Sequence, residues 1–437
     1  MLLVVLATLC FDPAAYGGKP DDDKPDNAAI QKAVDAAEAV HDGTVCLGAG
    51  VWNVTKLPGK VGSIEVTGSV RIRGVGPKTI LRMTGPAGRH DWRALEIWHG
   101  AHDIVLSEFR IDGLGAFDTE EQTHLIELGP DTRDVTVARM QLGPMRWSVQ
   151  EVGAGIGGDC IRLLGEPDHI VQDVTIAQSK FVDCDRSAIG MQREVHDLVV
   201  ADIDATAVGD QAIDFEPTGN GGIQDCTFVR MTLRQAPDTQ SSWSITLNGF
   251  GPEVARRLVV ANSSIQGGIG MLNVDGVEIV GNEILDDHAR FGANTINVMR
   301  RGDHVHIANN HVRRGGYPAS LVRATWSAGE RPHGLVVENN TLEQTTDAPV
   351  VEVISSDDVT VRANAITVRA DSTQPAVKID AIHNDIDGIT IERNAVTGAR
   401  VPLVRAGTRK TWRIGKITTH GNTGADESDT TVHAPGR

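Results

Sequence analysis

Asp214 and Glu216 stand two residues apart in Gly209-Asp210-Gln211-Ala212-Ile213-Asp214-Phe215-Glu216-Pro217. If Ile213 and Phe215 are the inward pair of a strand, both carboxylates share the opposite face, because successive side chains alternate. A rise of about 3.3 Å per residue puts their Cα atoms about 6.5–7 Å apart. Inverting glycosidases hold acid and base roughly 6.5–9.5 Å apart, with room for the attacking water. Close like charges would also raise one carboxyl pKa and supply a protonated acid. The same residues with Asp210 are suited to hold Ca2+, or simply to decorate a solvated face. Just upstream lie Asp185, Arg186, Gln192, Arg193, Glu194 and His196. Arg186 and Arg193 suit bidentate capture of a sugar carboxylate, or the base of a lyase; ion pairing with the nearby acids is the plainer alternative. His196 reads as a turn residue.

These side chains must be positioned by short strands. Aliphatic pairs recur as Leu95/Ile97, Ile126/Leu128, Ile161/Leu163, Ile189/Met191, Ile213/Phe215, Ile245/Leu247, Ile296/Val298 and Val377/Ile379. With each pair inward, the residue between points out, giving the column Glu96, Glu127, Arg162, Gly190, Asp214, Thr246, Asn297 and Lys378. One alternation further lie Trp98, Gln192, Glu216, Asn248, Met299 and Asp380. Trp98 and Trp243 are candidate sugar-stacking platforms, or ordinary half-buried rings. Thr246, Asn248 and Asn297 add neutral hydrogen-bonding groups suited to a hydroxylated ligand.

From about residue 65 onward a phrase repeats: a β-branched strand, then Asn, one residue and an aliphatic. Its asparagines are Asn282, Asn310, Asn340, Asn364 and Asn394, spaced 28, 30, 24 and 30 residues. Such a period marks a solenoid. Asn at one place in every coil can hydrogen-bond its copies above and below, and it tolerates a left-handed bend. Leucine-rich spacing is missing, and helical periodicity is confined to 27–39, where Ile30, Val34 and Ala37 share a face after Asp26 or Asn27 as N-cap. The pattern predicts an all-β, single-stranded right-handed parallel β-helix of about ten or more coils. Residues 1–60 form a cap of strand, helix and strand over the open end, 61–424 the β-helix, and 425–437 a tail.

The segments Ala15-Tyr16-Gly17-Gly18-Lys19, the Asp-rich loop ending at Asp26, Ala29-Ile30-Gln31-Lys32-Ala33 and Gly43-Thr44-Val45 with Gly48-Ala49-Gly50 resemble the N-terminal signature of the pectate lyase superfamily. Rhamnogalacturonase-like and polygalacturonase-like β-helix proteins share that signature. The resemblance implies the pectin lyase-like fold and leaves the activity open among hydrolases, lyases, epimerases and phage tailspikes. Gly158-Asp159-Cys160-Ile161 is similar to the polygalacturonase GDDC-I motif, with the paired Asp reduced to Asp159. The family's Gly-His-Gly and Arg-Ile-Lys motifs have no counterpart here, so its catalytic set does not transfer.

The 437 residues carry 41 Lys and Arg against 58 Asp and Glu, and 41 − 58 gives −17. That acidity excludes a nucleic-acid binder, and no apolar run reaches the ~20 residues of a membrane-spanning helix. Met1 to Cys10 is apolar and reads either as the core of a signal peptide, without its basic flank or cleavage site, or as a first strand. The five cysteines show no CxxC spacing. Cys10 with Cys46 would bridge if the protein is secreted or periplasmic, the remainder being small buried hydrophobes. The favoured expectation is a glycoside hydrolase acting on a polysaccharide, with Asp214 and Glu216 catalytic, Asp210 or Asp159 supporting, and no cofactor. Arg162, Arg186, Gln192, Arg193, Trp98, Trp243, Thr246, Asn248 and Asn297 would bind substrate. One alternative is a lyase or uronate epimerase using Arg186, Arg193 or Lys378 as base, with Ca2+ on Asp210, Asp214 and Glu216. Another is a non-catalytic glycan binder or spike-like structural protein. The negative charge disfavours a polyanionic substrate unless a cation bridges it.

Overall fold

A computed structural model describes residues 9–437 apart from 41–42, 86–90, 99, 116–121, 146–157, 217–221, 238, 240, 250–253, 288–292, 326–329, 399–400, 409–411, 426–431 and 434–437. Most of Met1 to Cys10 therefore lies outside the described residues; Cys10–Phe11 is a short strand parallel to Thr44–Cys46. The chain winds through about 12 turns of a right-handed parallel β-helix. Among the described residues, helix is confined to Pro13–Tyr16 and Asn27–Glu38, and no helix is long and apolar enough to cross a membrane. The chain divides into two units, Met1–Glu216 with Ala236–Gln240, and Pro217–Gln235 with Ser241–Arg437.

Each coil of the first unit contributes to three parallel sheets. The first contains Gly62–Val66, Trp92–Ile97, Thr123–Leu128, Ile161–Leu164, Ile189–Gln192 and Ile213–Glu216. The expected register holds: Leu95, Ile126, Ile161, Ile189 and Ile213 stack, as do Ile97, Leu128, Leu163, Met191 and Phe215. All are buried, and each side chain of this size contributes about 1.5–3 kcal/mol when removed from water. In the second sheet, Asp103, Asp134, Asp173 and Asp197 sit near the start of successive strands with φ of 55°, 56°, 55° and 52°. Asp is chosen there because its short polar side chain makes the left-handed region tolerable.

The α-helix closes the open end of this unit through two faces. Ala29, Ile30, Ala33, Val34 and Ala37 are buried. Asn27, Gln31 and Glu38, on another face, replace the missing neighbouring strand. Asn27 Nδ2 donates to Thr55 O (2.8 Å) and Ser63 O (3.0 Å). Gln31 exchanges two 2.9 Å bonds with the backbone of Glu65, and Glu38 Oε1 accepts from the N–H groups of Thr67 and Gly68. The edge of the first coil is thus satisfied by side chains, as an exposed parallel edge requires. Asp26 occupies the N-cap position, but its carboxylate accepts from Lys19 N and Asn53 N instead of capping the helix.

In the second unit the repeated asparagines form a continuous ladder. Each Oδ1 of Asn310, Asn340, Asn364, Asn394 and Asn422 accepts both the backbone N–H and the Nδ2 of the asparagine one coil earlier, at 2.8–3.0 Å. The Nδ2 of Asn282, Asn310, Asn340, Asn364 and Asn394 also donates to a strand carbonyl at 2.8–2.9 Å. Asn422 extends the expected series by one coil. The left-handed bend is not at the ladder asparagine but one residue before it, at Gly281, Asn309, Asn339, Ala363, Arg393 and Gly421. That frees the ladder side chain to point inward. Within the expected tail, Val432–His433 pairs with Ala406 and Gly407.

Two disulfides are present. Cys10–Cys46 is the bridge expected for an exported protein; Cys160–Cys184, with Cα atoms 5.7 Å apart, corrects the reading of those two as isolated hydrophobes. They are 24 residues apart, one coil, which places them at bridging distance on neighbouring turns. Cys226 is buried and belongs to neither bridge.

Candidate active site

The outward column of the first unit is Glu96, Glu127, Arg162, Gly190 and Asp214, in register, with Gln192 beside Glu216 on the next alternation. A second column, which the sequence reading did not take up, lies two positions before each inward pair: Arg93, His124, Asp159, Ser187 and Gln211. Each is followed by a fully buried residue, Ala94, Leu125, Cys160, Ala188 or Ala212. That recurring couplet was the available signal.

The two columns interlock. Arg93 Nη2 donates to Glu127 Oε2 at 2.8 Å, and Arg162 Nε lies 3.8 Å from the same oxygen. Arg162 also donates to Gln122 Oε1 and, at 2.6 Å, to Gln192 Oε1. Gln192 passes its own Nε2 to Glu216. Arg186 Nη2 lies 3.2 Å from Asp214 Oδ2 and pairs with Glu216 Oε1 as well. Glu96, Glu127, Asp159, Arg162, Arg186 and Asp214 are each at most 9% exposed, so this is no solvated face. The two carboxylates expected to repel each other are instead bridged by one guanidinium.

The raised carboxyl is a different one. Asp159 is 3% exposed and its pKa is pushed up to about 6, chiefly by burial. Arg186 and Arg162 oppose the rise, while Asp214 adds to it. The carboxyl occupies space left by Gly190, where a Cβ would sit 2.4 Å from Asp159 Oδ2. Oδ1 is buried without a hydrogen-bond partner. Behind it, His124 Nδ1 accepts the Asp159 N–H at 2.9 Å, and Arg162 Nη1 lies 2.9 Å from Nε2. Burial, then Arg162, Arg93 and Arg186, hold the His124 pKa well below its ordinary value, so the ring is a neutral anchor. Glu96 is also raised, by burial and then by Glu127. The Cys160–Cys184 bridge ties the coil of Asp159 to the coil of Arg186.

Of the other expected residues, Asp210 borders this cluster and Arg193, His196 and Trp98 make their contacts elsewhere. Arg193 occupies a left-handed turn (φ 61°), 3.5 Å from Glu166 Oε1. Asp210 is half-buried, its backbone N–H donating to Arg186 O at 2.9 Å. His196, on the strand Val195–Ala201 rather than in a turn, pairs with Glu194. Trp98 is half-buried against Gly129, where a Cβ would come within 2.1 Å of the ring. Among the described residues, no group of three or more His, Cys, Asp or Glu side chains is arranged to hold a metal ion.

In the second unit Thr246, Gly270 and Asn297 stack in register. The Trp243 ring covers Gly270, a Cβ there falling 2.7 Å from Cδ2, and its Nε1 donates to Asn294 O at 3.0 Å. Thr246 and Asn297 are buried, Asn248 half-buried, and Asn297 Oδ1 lacks a hydrogen-bond partner. Lys378 lies 3.0 Å from Glu352 Oε1 and 2.8 Å from Asp380 Oδ2. Burial lowers its pKa, but the two carboxylates outweigh that and raise it, so Lys378 is held as an ammonium ion rather than a base.

No protein-family model matches the chain, and no curated protein matches it in sequence. Solved structures do match in fold. The mannuronan C-5 epimerase AlgE6 A-module of Azotobacter vinelandii is 16% identical, with TM-score 0.55 over 96% of this chain and 100% of that one. The catalytic unit of a GH87 alpha-1,3-glucanase from Streptomyces thermodiastaticus is 14% identical, with TM-score 0.57 over 98% of this chain and 70% of that one. Tailspike protein 3 of bacteriophage CBA120 is 11% identical, with TM-score 0.56 over 97% of this chain and 62% of that one. At these identities the likeness establishes the right-handed β-helix fold that the sequence pattern implied.

Proposed function

We propose that this chain hydrolyses glycosidic bonds of a polysaccharide, with Asp159 as proton donor and Asp214, beside Glu216, as the carboxylate that directs water. The observation that carries the reading is the unequal environment of neighbouring carboxyls. Asp159 is raised to about 6 and has an unpartnered oxygen, whereas Asp214 and Glu216 are ion-paired to Arg186. A buried carboxyl with a raised pKa beside ion-paired carboxylates suits the acid and base roles of such a reaction. Asp159 would give its proton to the glycosidic oxygen as the C–O bond breaks, and Asp214 would take one from the water that adds to the sugar carbon. Arg162 and Gln192 offer donors to sugar hydroxyls. Two of the three fold matches are carbohydrate-active enzymes by name, which fits this reading. The two disulfides fit an oxidising, extracytoplasmic location.

The lyase or epimerase alternative rests on the buried Arg93, Arg162 and Arg186, which suit a uronate carboxylate. Ca2+ on Asp210, Asp214 and Glu216 belongs to that alternative and would have to displace Arg186. A panel of neutral and acidic polysaccharides, with Ca2+ or EDTA, separates the readings. New reducing ends without ultraviolet absorbance of unsaturated uronates are expected. Absorbance that EDTA abolishes would move the assignment to a Ca2+-dependent lyase. Silence in both channels across the panel would sink the enzymatic reading.

A further inference from the structure

The second unit contains a cavity of about 590 Å3 far along the sequence from the cluster above. It lies where the chain passes from first-sheet to second-sheet pairing, inside the long strand Ile296–Ala308 and in the connections of later coils. Its walls come from Arg301 and Asp303, then Arg331, then Asn384 and Asp385, then Trp412. The second-sheet stretches that follow pair successively, from the end of Ile296–Ala308 through Val336–Glu338, Thr360–Arg362 and Ile389–Glu392 to Ile417–His420. Five coils at about 4.8 Å spacing give a cleft about 19 Å long.

The chemistry of the wall is that of a sugar site. Arg301 Nε pairs with Asp303 at 2.8 Å, and Arg331 is fixed by Asp357 Oδ2 at 2.5 Å and by Asp385 O at 2.7 Å. Both guanidiniums are thus neutralised and oriented, each with further N–H groups to offer. Asn384 makes no hydrogen bond among the described residues, and Trp412 is half-buried, an apolar face beside polar groups. Two arginines stand against Asp303, Glu330 and Asp385 on the wall, with Asp357 behind, so formal charge is negative. An anionic ligand would be repelled; vicinal hydroxyls on a ring with an apolar face would be matched by carboxylates, arginine donors and an indole.

We propose that this cleft binds a neutral oligosaccharide, as a glycan site separate from the cluster around Asp159. The test is calorimetric titration of the full chain, and of its Asp159→Asn form, with cellopentaose, laminaripentaose and maltopentaose, against trigalacturonate and CaCl2 as comparators. At least one neutral pentaose should bind. Trp412→Ala should weaken it about tenfold, the scale of one lost stacking contact. Asp385→Ala should weaken it also, while Asp159→Asn leaves this binding unchanged. Trp412 lies outside the strands, and an unaltered circular dichroism spectrum would certify the variant. The proposal falls if no neutral pentaose binds, if binding ignores Trp412→Ala and Asp385→Ala, or if only trigalacturonate or Ca2+ binds. Because binding and turnover are read separately, failure here leaves the hydrolase reading to its own test.

Discussion

Replacing Asp159 by Asn should stabilise the protein at neutral pH while removing its activity. Burial and Asp214 raise this carboxyl to about 6 from the ordinary 3.8. The folded chain therefore holds the proton through a pH window in which the unfolded chain has released it. Stability falls as pH rises through that window and stays reduced above about 6. The gap corresponds to about 3 kcal/mol, and the side chain is only 3% exposed, so solvent screening removes little of it. Asn mimics the protonated carboxyl and never ionises. Wild type and Asp159→Asn should thus be nearly equal in stability below pH 4, and the variant should lead by about 2–3 kcal/mol at pH 8. Urea unfolding across this range, followed by tryptophan emission, reads the first unit directly, since Trp52 and Trp92 are both 1% exposed there. A difference that does not change with pH, or one favouring the carboxylate at pH 8, would refute the reasoning.

If Asp159 is the proton donor, kcat/KM should decline as pH rises through about 6, and the Asn variant should retain substrate binding with turnover lost; a rate still rising above pH 7 would reassign the acid. Gly190→Ala puts a Cβ 2.4 Å from Asp159 Oδ2 and should abolish turnover in a protein that still folds, as circular dichroism and a pH profile would show. Reduction of Cys160–Cys184, or Cys184→Ser, should cut activity before the fold is lost, because the bridge joins the coils of Asp159 and Arg186. Asn340→Ala removes two accepted and two donated hydrogen bonds from the ladder and should cost about 3 kcal/mol or more, at the upper end for buried groups left unpaired. Asn422→Ala, at the end of the ladder and half-exposed, should cost much less in the same urea assay.

Register was legible because it depends on a local rule. Ile213 and Phe215 must both enter the core, so Asp214 and Glu216 must leave it, and any coil with the same couplet stacks in line. The asparagine ladder was legible for the same reason, since a period shared by five copies leaves few architectures. What failed to show were consequences of contact between coils. Arg186 neutralises Asp214 and Glu216 from a turn 28 residues earlier, and no strand period links them. Asp159 owes its raised pKa to burial, and its room to the absence of a side chain at Gly190. His124 and Arg93 were missed because only the residue between each inward pair was read as outward, whereas the strands carry a second outward position upstream. Cys160 and Cys184 lie one coil apart, and the same periodic reasoning applied to cysteine would have joined them.

The two ways in which this chain buries polar groups favour the proposed role of the Asp159 cluster over a purely structural one. The ladder of the second unit uses neutral amides with every donor and acceptor matched, at no electrostatic cost. Glu96, Glu127, Asp159, Arg93, Arg162 and Arg186 solve no packing problem that such amides could not. Burying ion pairs is often no more stabilising than apolar packing of the same volume, and here the pairing is incomplete. Arg93 Nε, Arg162 Nε and Asp159 Oδ1 all lack hydrogen-bond partners while buried. Each such group costs about 1–3 kcal/mol. A coil whose only task is to stack on its neighbours would exchange these residues for Ile, Val or Asn at a gain. Charge retained at this cost on consecutive coils of one sheet supports the proposal that the cluster serves a polar ligand rather than the stacking of coils.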